Sequence, residues 1–136
     1  MPFRMKRYAQ TLNLKDDPAL IARYVDYHRA VWPEVENGLR AIGIRRMLIW
    51  RLGRRLFMLM ETRDAFEPER DFARYLARDA RIREWQALME TLQEPVRDAR
   101  PGEWWAGMEL VYALTPPTRR RRGTRTGRAP RGASQR

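Results

Sequence analysis

His28 is the one histidine in 136 residues. It is therefore the one side chain whose ordinary pKa lies near neutrality. Tyr24 stands four residues before it, Tyr27 beside it and Trp32 four residues after it. On a continuing helix Tyr24 and His28 share a face. An imidazole flanked by a phenol and an indole suits a polar ring compound. The aromatic faces can stack on C–H groups while the imidazole exchanges a proton. The residues alone also allow a structural histidine.

Other residue types narrow the chemistry. Trp85 recurs with Ile82, Leu88 and Met89 at helical spacing, which is also the pattern of core packing. Trp104 and Trp105 are adjacent, so on a strand one indole faces each side of the sheet. One is expected in the core and the other at a pocket or a subunit seam. Glu61 and Glu109 sit in or at the end of apolar runs. A two-carboxylate glycosidase needs a set separation between them, and nothing in the sequence supplies one. The chain has no cysteine. That excludes disulfides, thiolate metal sites and cysteine nucleophiles. One histidine cannot build a His-rich metal site, and no zinc-ligand spacing is present. No glycine pattern of the phosphate- or dinucleotide-binding kind occurs.

The elements that must position these residues can be read from periodicity. Residues 5–14 alternate, with Tyr8, Gln10, Leu12 and Leu14 on one face, and read as a strand. The polar Gln10 on that inner face calls for a reason. Asp17-Pro18 starts a helix, the acid as cap and the proline in the first turn. The helix carries Leu20, Ile21, Tyr24 and, if it continues, His28. Pro33 opens a second helix from about Glu34 to Ile42, closed by Gly43. Ile44–Trp50 and Leu56–Glu61 flank Gly53 and read as a hairpin. Phe66–Ala77 reads as a third helix. A fourth begins at Asp79 and ends by Pro95. Trp104–Leu114 reads as the last strand. The order βαββαβ predicts an α+β, ferredoxin-like fold with a four-stranded antiparallel sheet and helices on one face. Its other face needs a cover, and a second copy packed sheet against sheet supplies one.

The formal charge of +11 suggests nucleic acid until it is located. Residues 119–136 hold eight arginines and no acid, and removing them leaves +3. The domain is expected at residues 1–115. Residues 116–136 read as a disordered arginine-rich tail, able at most to touch nucleic acid or acidic lipid electrostatically. No signal peptide and no stretch of 18 apolar residues is visible. A cytoplasmic, non-membrane protein is the expectation.

The ordered segments Lys6–Asp17, Tyr24–Val35, Arg51–Gly53 and Glu84–Met89 together resemble the L-rhamnose mutarotase family. The resemblance covers about residues 5–114. It implies a homodimeric α+β barrel that interconverts the α and β anomers of a 6-deoxyhexose without a cofactor or metal. The family's proton-donating histidine matches His28, and a sugar-contacting tyrosine matches Tyr24. The first of two tryptophans on the late helix matches Trp85, while the second falls on Gln86. Another sugar-contacting tyrosine falls on Met47. These two departures weaken L-rhamnose as the specific substrate and leave L-fucose open. Two other functions compete. One is a small cofactor-independent monooxygenase on the same scaffold. The other is a nucleic-acid-binding module acting through the tail.

Overall fold

The computed structural model describes residues 5–117. The arginine-rich segment 119–136, expected to be disordered, lies outside the described residues. The elements run β1 (Met5–Leu14), α1 (Pro18–Tyr27), α2 (Pro33–Ala41), β2 (Ile44–Leu52), β3 (Arg55–Arg63), α3 (Pro68–Arg78), α4 (Ala80–Glu90), β4 (Gln93–Glu94) and β5 (Ala106–Gly107). The antiparallel sheet has the order β2-β3-β1-β4, and β5 also pairs with β1. This is the predicted α+β plan, with the hairpin on one side and the chain's last pairings on the other.

The expected alternation of β1 is present. Leu12 and Leu14 are fully buried. Across the ladder Leu12 faces Leu56, Gln10 faces Met58 and Tyr8 faces Met60. The same face of β2 carries Met47 and Ile49, opposite Met60 and Met58. Against it the helices set Tyr24, Val35, Tyr75, Ile82, Trp85 and Met89, and the two layers form one core. Gly38 lets α2 approach closely. A Cβ there would meet the Ile82 Cδ1 at 2.7 Å and the Tyr75 ring at 3.0 Å.

The helix ends follow local chemistry. Asp17 accepts a hydrogen bond from the Ala19 N–H, with Pro18 in the first turn. Asp79 caps α4 in the same way through Arg81 N–H. Gly43 adopts φ +104° after α2, and Gly53 φ +61° in the hairpin turn, both in the left-handed region that glycine enters without steric penalty. Asp71 is 1% exposed. Its carboxylate accepts from Arg70, Arg74 and the backbone N–H of Glu67. Those donors hold it far below the usual carboxylate range.

Two sequence expectations need correction. Helix α3 begins at Pro68, not Phe66. Phe66 is fully buried ahead of it and stacks edge-on against Tyr8 and Phe72. The last strand is two residues long, not the expected Trp104–Leu114. Pairing stops after Met108, whose N–H donates to the Ala9 carbonyl. Gln10 opposes Gly107, so continuing that register would turn Glu109 toward the helix-covered face beside Tyr8. A carboxylate buried there without a partner is unfavourable. Part of the expected edge pairing goes instead to Gln93–Glu94, opposite Leu14 and Asn13. Leu110, Val111, Tyr112 and Leu114 are left exposed.

Candidate active site

The site begins at the end of α1. His28 is the cap residue just past Tyr27, and its own N–H closes on the carbonyls of Tyr24 and Val25. A helix C-terminus leaves carbonyls without helical partners. The His28 ring meets one of them: its Nδ1 lies 2.9 Å from the Tyr24 carbonyl oxygen. A carbonyl only accepts, so Nδ1 carries the proton and donates. In the neutral ring Nε2 is then the atom with the free lone pair. Burial holds the His28 pKa below its ordinary value, partly offset by that backbone hydrogen bond. Neutral imidazole is thus the favoured form near neutrality.

Around this ring the fold gathers aromatic side chains. The Tyr24 and His28 rings have centroids 4.3 Å apart. Trp85, 6% exposed on α4, meets His28 edge-on at 5.4 Å. It also meets Trp32 at 5.1 Å and Tyr27 at 6.1 Å. Trp32 is held in turn by the Arg81 guanidinium, 3.7 Å above its ring. Trp85 is thus part of the core, as its helical spacing predicted, and lies beside His28 as well.

Of these side chains His28, Tyr24 and Trp85 line a cleft of about 930 Å³ between the helices and the inner face of the sheet. That volume lies within the range of small-molecule sites. His28, Tyr24, Trp85, Gln86 and Met47, the five residues singled out from sequence, all line it. Met47 projects from β2 on the core face. Gln86 is half-buried, and its amide donates to Glu90 at 3.0 Å. Gln10 lines the cleft too, which answers why a polar residue sits on the inner face of β1. Trp105 lines the cleft as one of the two adjacent indoles was expected to.

Sequence reasoning passed over Gln93. It is 5% exposed, lines the cleft and accepts a 2.9 Å hydrogen bond from Trp104 Nε1. Its signal was a lone polar residue between Leu92 and Glu94, in a segment too short for periodicity. Burial raises the Tyr24 phenol to about 12, against a smaller lowering by the Gln93 side chain. Glu61 and Glu109 do not line the cleft. Glu61 opposes Arg7 and Arg46 on the other sheet face, and Glu109 is exposed. The two-carboxylate arrangement is not formed. Among the described residues no cluster of three His, Cys, Asp or Glu side chains is placed to hold a metal ion. No helix among them is long and apolar enough to cross a membrane.

Comparison with known proteins agrees with this geometry. A UPF0734 protein from Dictyostelium discoideum is 44% identical over 112 residues, covering 80% of this chain and 90% of its own length. The L-fucose mutarotase of Xanthomonas campestris is 45% identical over 92 residues, 66% of this chain and 73% of that protein. Two solved structures share the fold. The L-rhamnose mutarotase of Formosa agariphila superposes with a TM-score of 0.57 at 18% identity, covering 81% of this chain and 99% of the other. The tetracenomycin F2 cyclase of Streptomyces glaucescens does so with 0.51 at 19%, covering 82% and 99%. These likenesses show a shared α+β fold of antiparallel sheet and helices. The family model described as L-rhamnose mutarotase matches residues 7–114, a span that takes in the whole cleft. With His28 and its aromatic surround inside that span, the chain belongs to the L-rhamnose mutarotase family, a family of carbohydrate isomerases.

Proposed function

We propose that this protein interconverts the α and β anomers of a 6-deoxyhexose, with L-rhamnose as first choice and L-fucose as the alternative. The supporting observation is the meeting of one titratable imidazole, one phenol and one indole in a single cleft. The indole offers an apolar face to the sugar's C–H groups. Tyr24, Gln10 and Gln86 offer hydrogen bonds to its hydroxyls. A glutamine at position 86 trades stacking area for hydrogen bonding, and Met47 adds apolar contact. These two positions are the reason L-fucose is kept as a substrate.

The reaction needs no net change in atoms. In opening, the bond between C1 and the ring oxygen breaks, the ring oxygen gains a proton and the anomeric hydroxyl loses one. The aldehyde turns about the C1–C2 bond, and the reverse steps close it on its other face. His28 acts as acid in its protonated form: the imidazolium gives the Nε2 proton to the ring oxygen and becomes the neutral ring, since Nδ1 keeps its proton on the Tyr24 carbonyl. In closure the neutral ring takes it back, as microscopic reversibility requires. Water carries the proton of the anomeric hydroxyl. The protein acts as a homodimer, its bare sheet face covered by a second copy. The test is saturation-transfer NMR on a panel of 6-deoxy and ordinary hexoses. Accelerated exchange between anomers of L-rhamnose or L-fucose supports the reading. Acceleration of no sugar rejects it.

A further inference from the structure

The connection between α1 and α2, residues 28–32, carries His28 at one end and Trp32 at the other. Its supports on either side are light. Tyr24 is the one buried residue of α1, and no side chain caps α2 at Trp32. Both ends of the connection meet α4 instead. The Trp85 ring packs edge-on with His28 at 5.4 Å and with Trp32 at 5.1 Å. Arg81 stands one turn before Trp85, so the two share a face of α4. The Arg81 guanidinium carbon lies 3.7 Å from the centre of the Trp32 ring, where a cation is attracted by the ring's π electrons. Glu84 accepts a 2.9 Å hydrogen bond from the same guanidinium and holds it in place. Neither Arg81 nor Trp32 lines the cleft. A charge so placed reaches the reacting atoms only through the rings between.

We propose that Arg81 is a positioning residue: by clamping Trp32 to α4 it keeps Trp85 against His28 and so fixes the plane in which the imidazole presents Nε2. The hydrogen bond from Nδ1 to the Tyr24 carbonyl ties one atom of the ring. One such tie leaves the ring free to turn about it, and the Trp85 indole is what stops that turn. Trp32 is half-buried. Without the guanidinium it can swing toward solvent, and Trp85 then loses the neighbour that packs behind it. This inference rests on the mutarotase reading for its effect on rate but not for its geometry.

The test uses the fact that the chain has a single histidine, so the Cε1–H proton resonance of His28 is read without ambiguity. Arg81→Met removes the charge and keeps an apolar stem of the kind arginine packs with. Arg81→Gln is the second variant should the first not fold; Arg81 is exposed, and both are expected to fold. In each the His28 resonance should move, because the ring current of an adjacent indole depends on its orientation. Exchange between anomers of L-rhamnose or L-fucose should fall about two- to fivefold, the scale of one cation–π contact at a partly exposed site. In a Trp32→Leu background the same changes should cost nothing further. A His28 resonance unmoved in the folded variants, or an equal loss of exchange with and without Trp32, overturns the proposal. Should the unaltered protein exchange no sugar while the resonance responds to Arg81 only when Trp32 is present, the clamp stands and the mutarotase reading falls.

Discussion

His28 combines two features that serve proton transfer. One nitrogen is anchored to the Tyr24 carbonyl, and burial keeps the ring's pKa below its ordinary value. Both bear on pH. If His28 is the acid at the ring oxygen, kcat/KM for the pyranose should fall as pH rises through the lowered pKa of His28. A profile that rises with pH over that interval would assign it the base role. The same residue links to stability. Its folded pKa lies below its unfolded one, so the unfolded chain binds more protons between the two values. Stability should therefore drop as pH falls from above about 6.5. A urea titration of the unaltered protein and of His28→Ala, compared at neutral and mildly acid pH, reads this difference. Tyr24→Phe should reduce exchange less than loss of His28, because in the proposed mechanism the phenol only positions substrate. Trp85→Ala should weaken sugar binding. It should also destabilise the fold by about 3–5 kcal/mol, as removal of a buried tryptophan does.

At the scale of the element, Gly38 on α2 makes a sharp prediction. Gly38→Ala places a methyl group against Ile82 and Tyr75. Overpacking of this kind costs about 1–3 kcal/mol, against roughly 1 kcal/mol gained from the better helix propensity of alanine, so the net is a loss of up to about 2 kcal/mol. A lowered urea midpoint with an unchanged slope is expected. Asp71 adds a second acid-sensitive feature. Its folded pKa is depressed, so its contribution is present above about pH 3.9 and is lost as pH falls further. Asp71→Asn should flatten that limb.

The same scale shows how far the sequence could be read. The strand β1, the hairpin and both caps were legible because alternation, Gly53, Asp17-Pro18 and Asp79 act through neighbours in the chain. The cleft residues His28, Tyr24 and Trp85 were legible through helical spacing and the family pattern. Gln93 was not, because its burial and its hydrogen bond depend on Trp104, eleven residues on and held by a bend. The end of the last strand was not legible either. Residues 104–114 have the composition of a strand, but composition does not say where the partner edge is lost.

For the whole molecule, the uncovered sheet face is the main unresolved energy. Leu48 pairs with Leu59 and Trp50 with Phe57 on that side, with the Trp50 and Phe57 rings 5.5 Å apart. Trp50 is 51% exposed. Covering a large apolar side chain contributes about 1.5–3 kcal/mol. Four such residues, together with the exposed run from Leu110 to Leu114, are enough to offset much of the roughly 4–15 kcal/mol lost on association. A homodimer is the proposed result. Sedimentation should give twice the 16.3 kDa of the chain, and Trp50→Glu should shift it toward monomer. A strictly monomeric unaltered protein would contradict the arrangement. Truncation after Pro117 should leave exchange and melting nearly unchanged.

The rate at which a sugar changes anomer reads the proposed role of His28 most directly. Saturation-transfer NMR on L-rhamnose and L-fucose, corrected for the exchange in water alone, should be run with the unaltered protein and with folded His28→Ala. General acid–base assistance is worth about 10²–10⁴ in rate, so the variant should lose exchange by that factor while its melting curve stays cooperative. Full exchange retained by folded His28→Ala would contradict the assignment of the proton to His28.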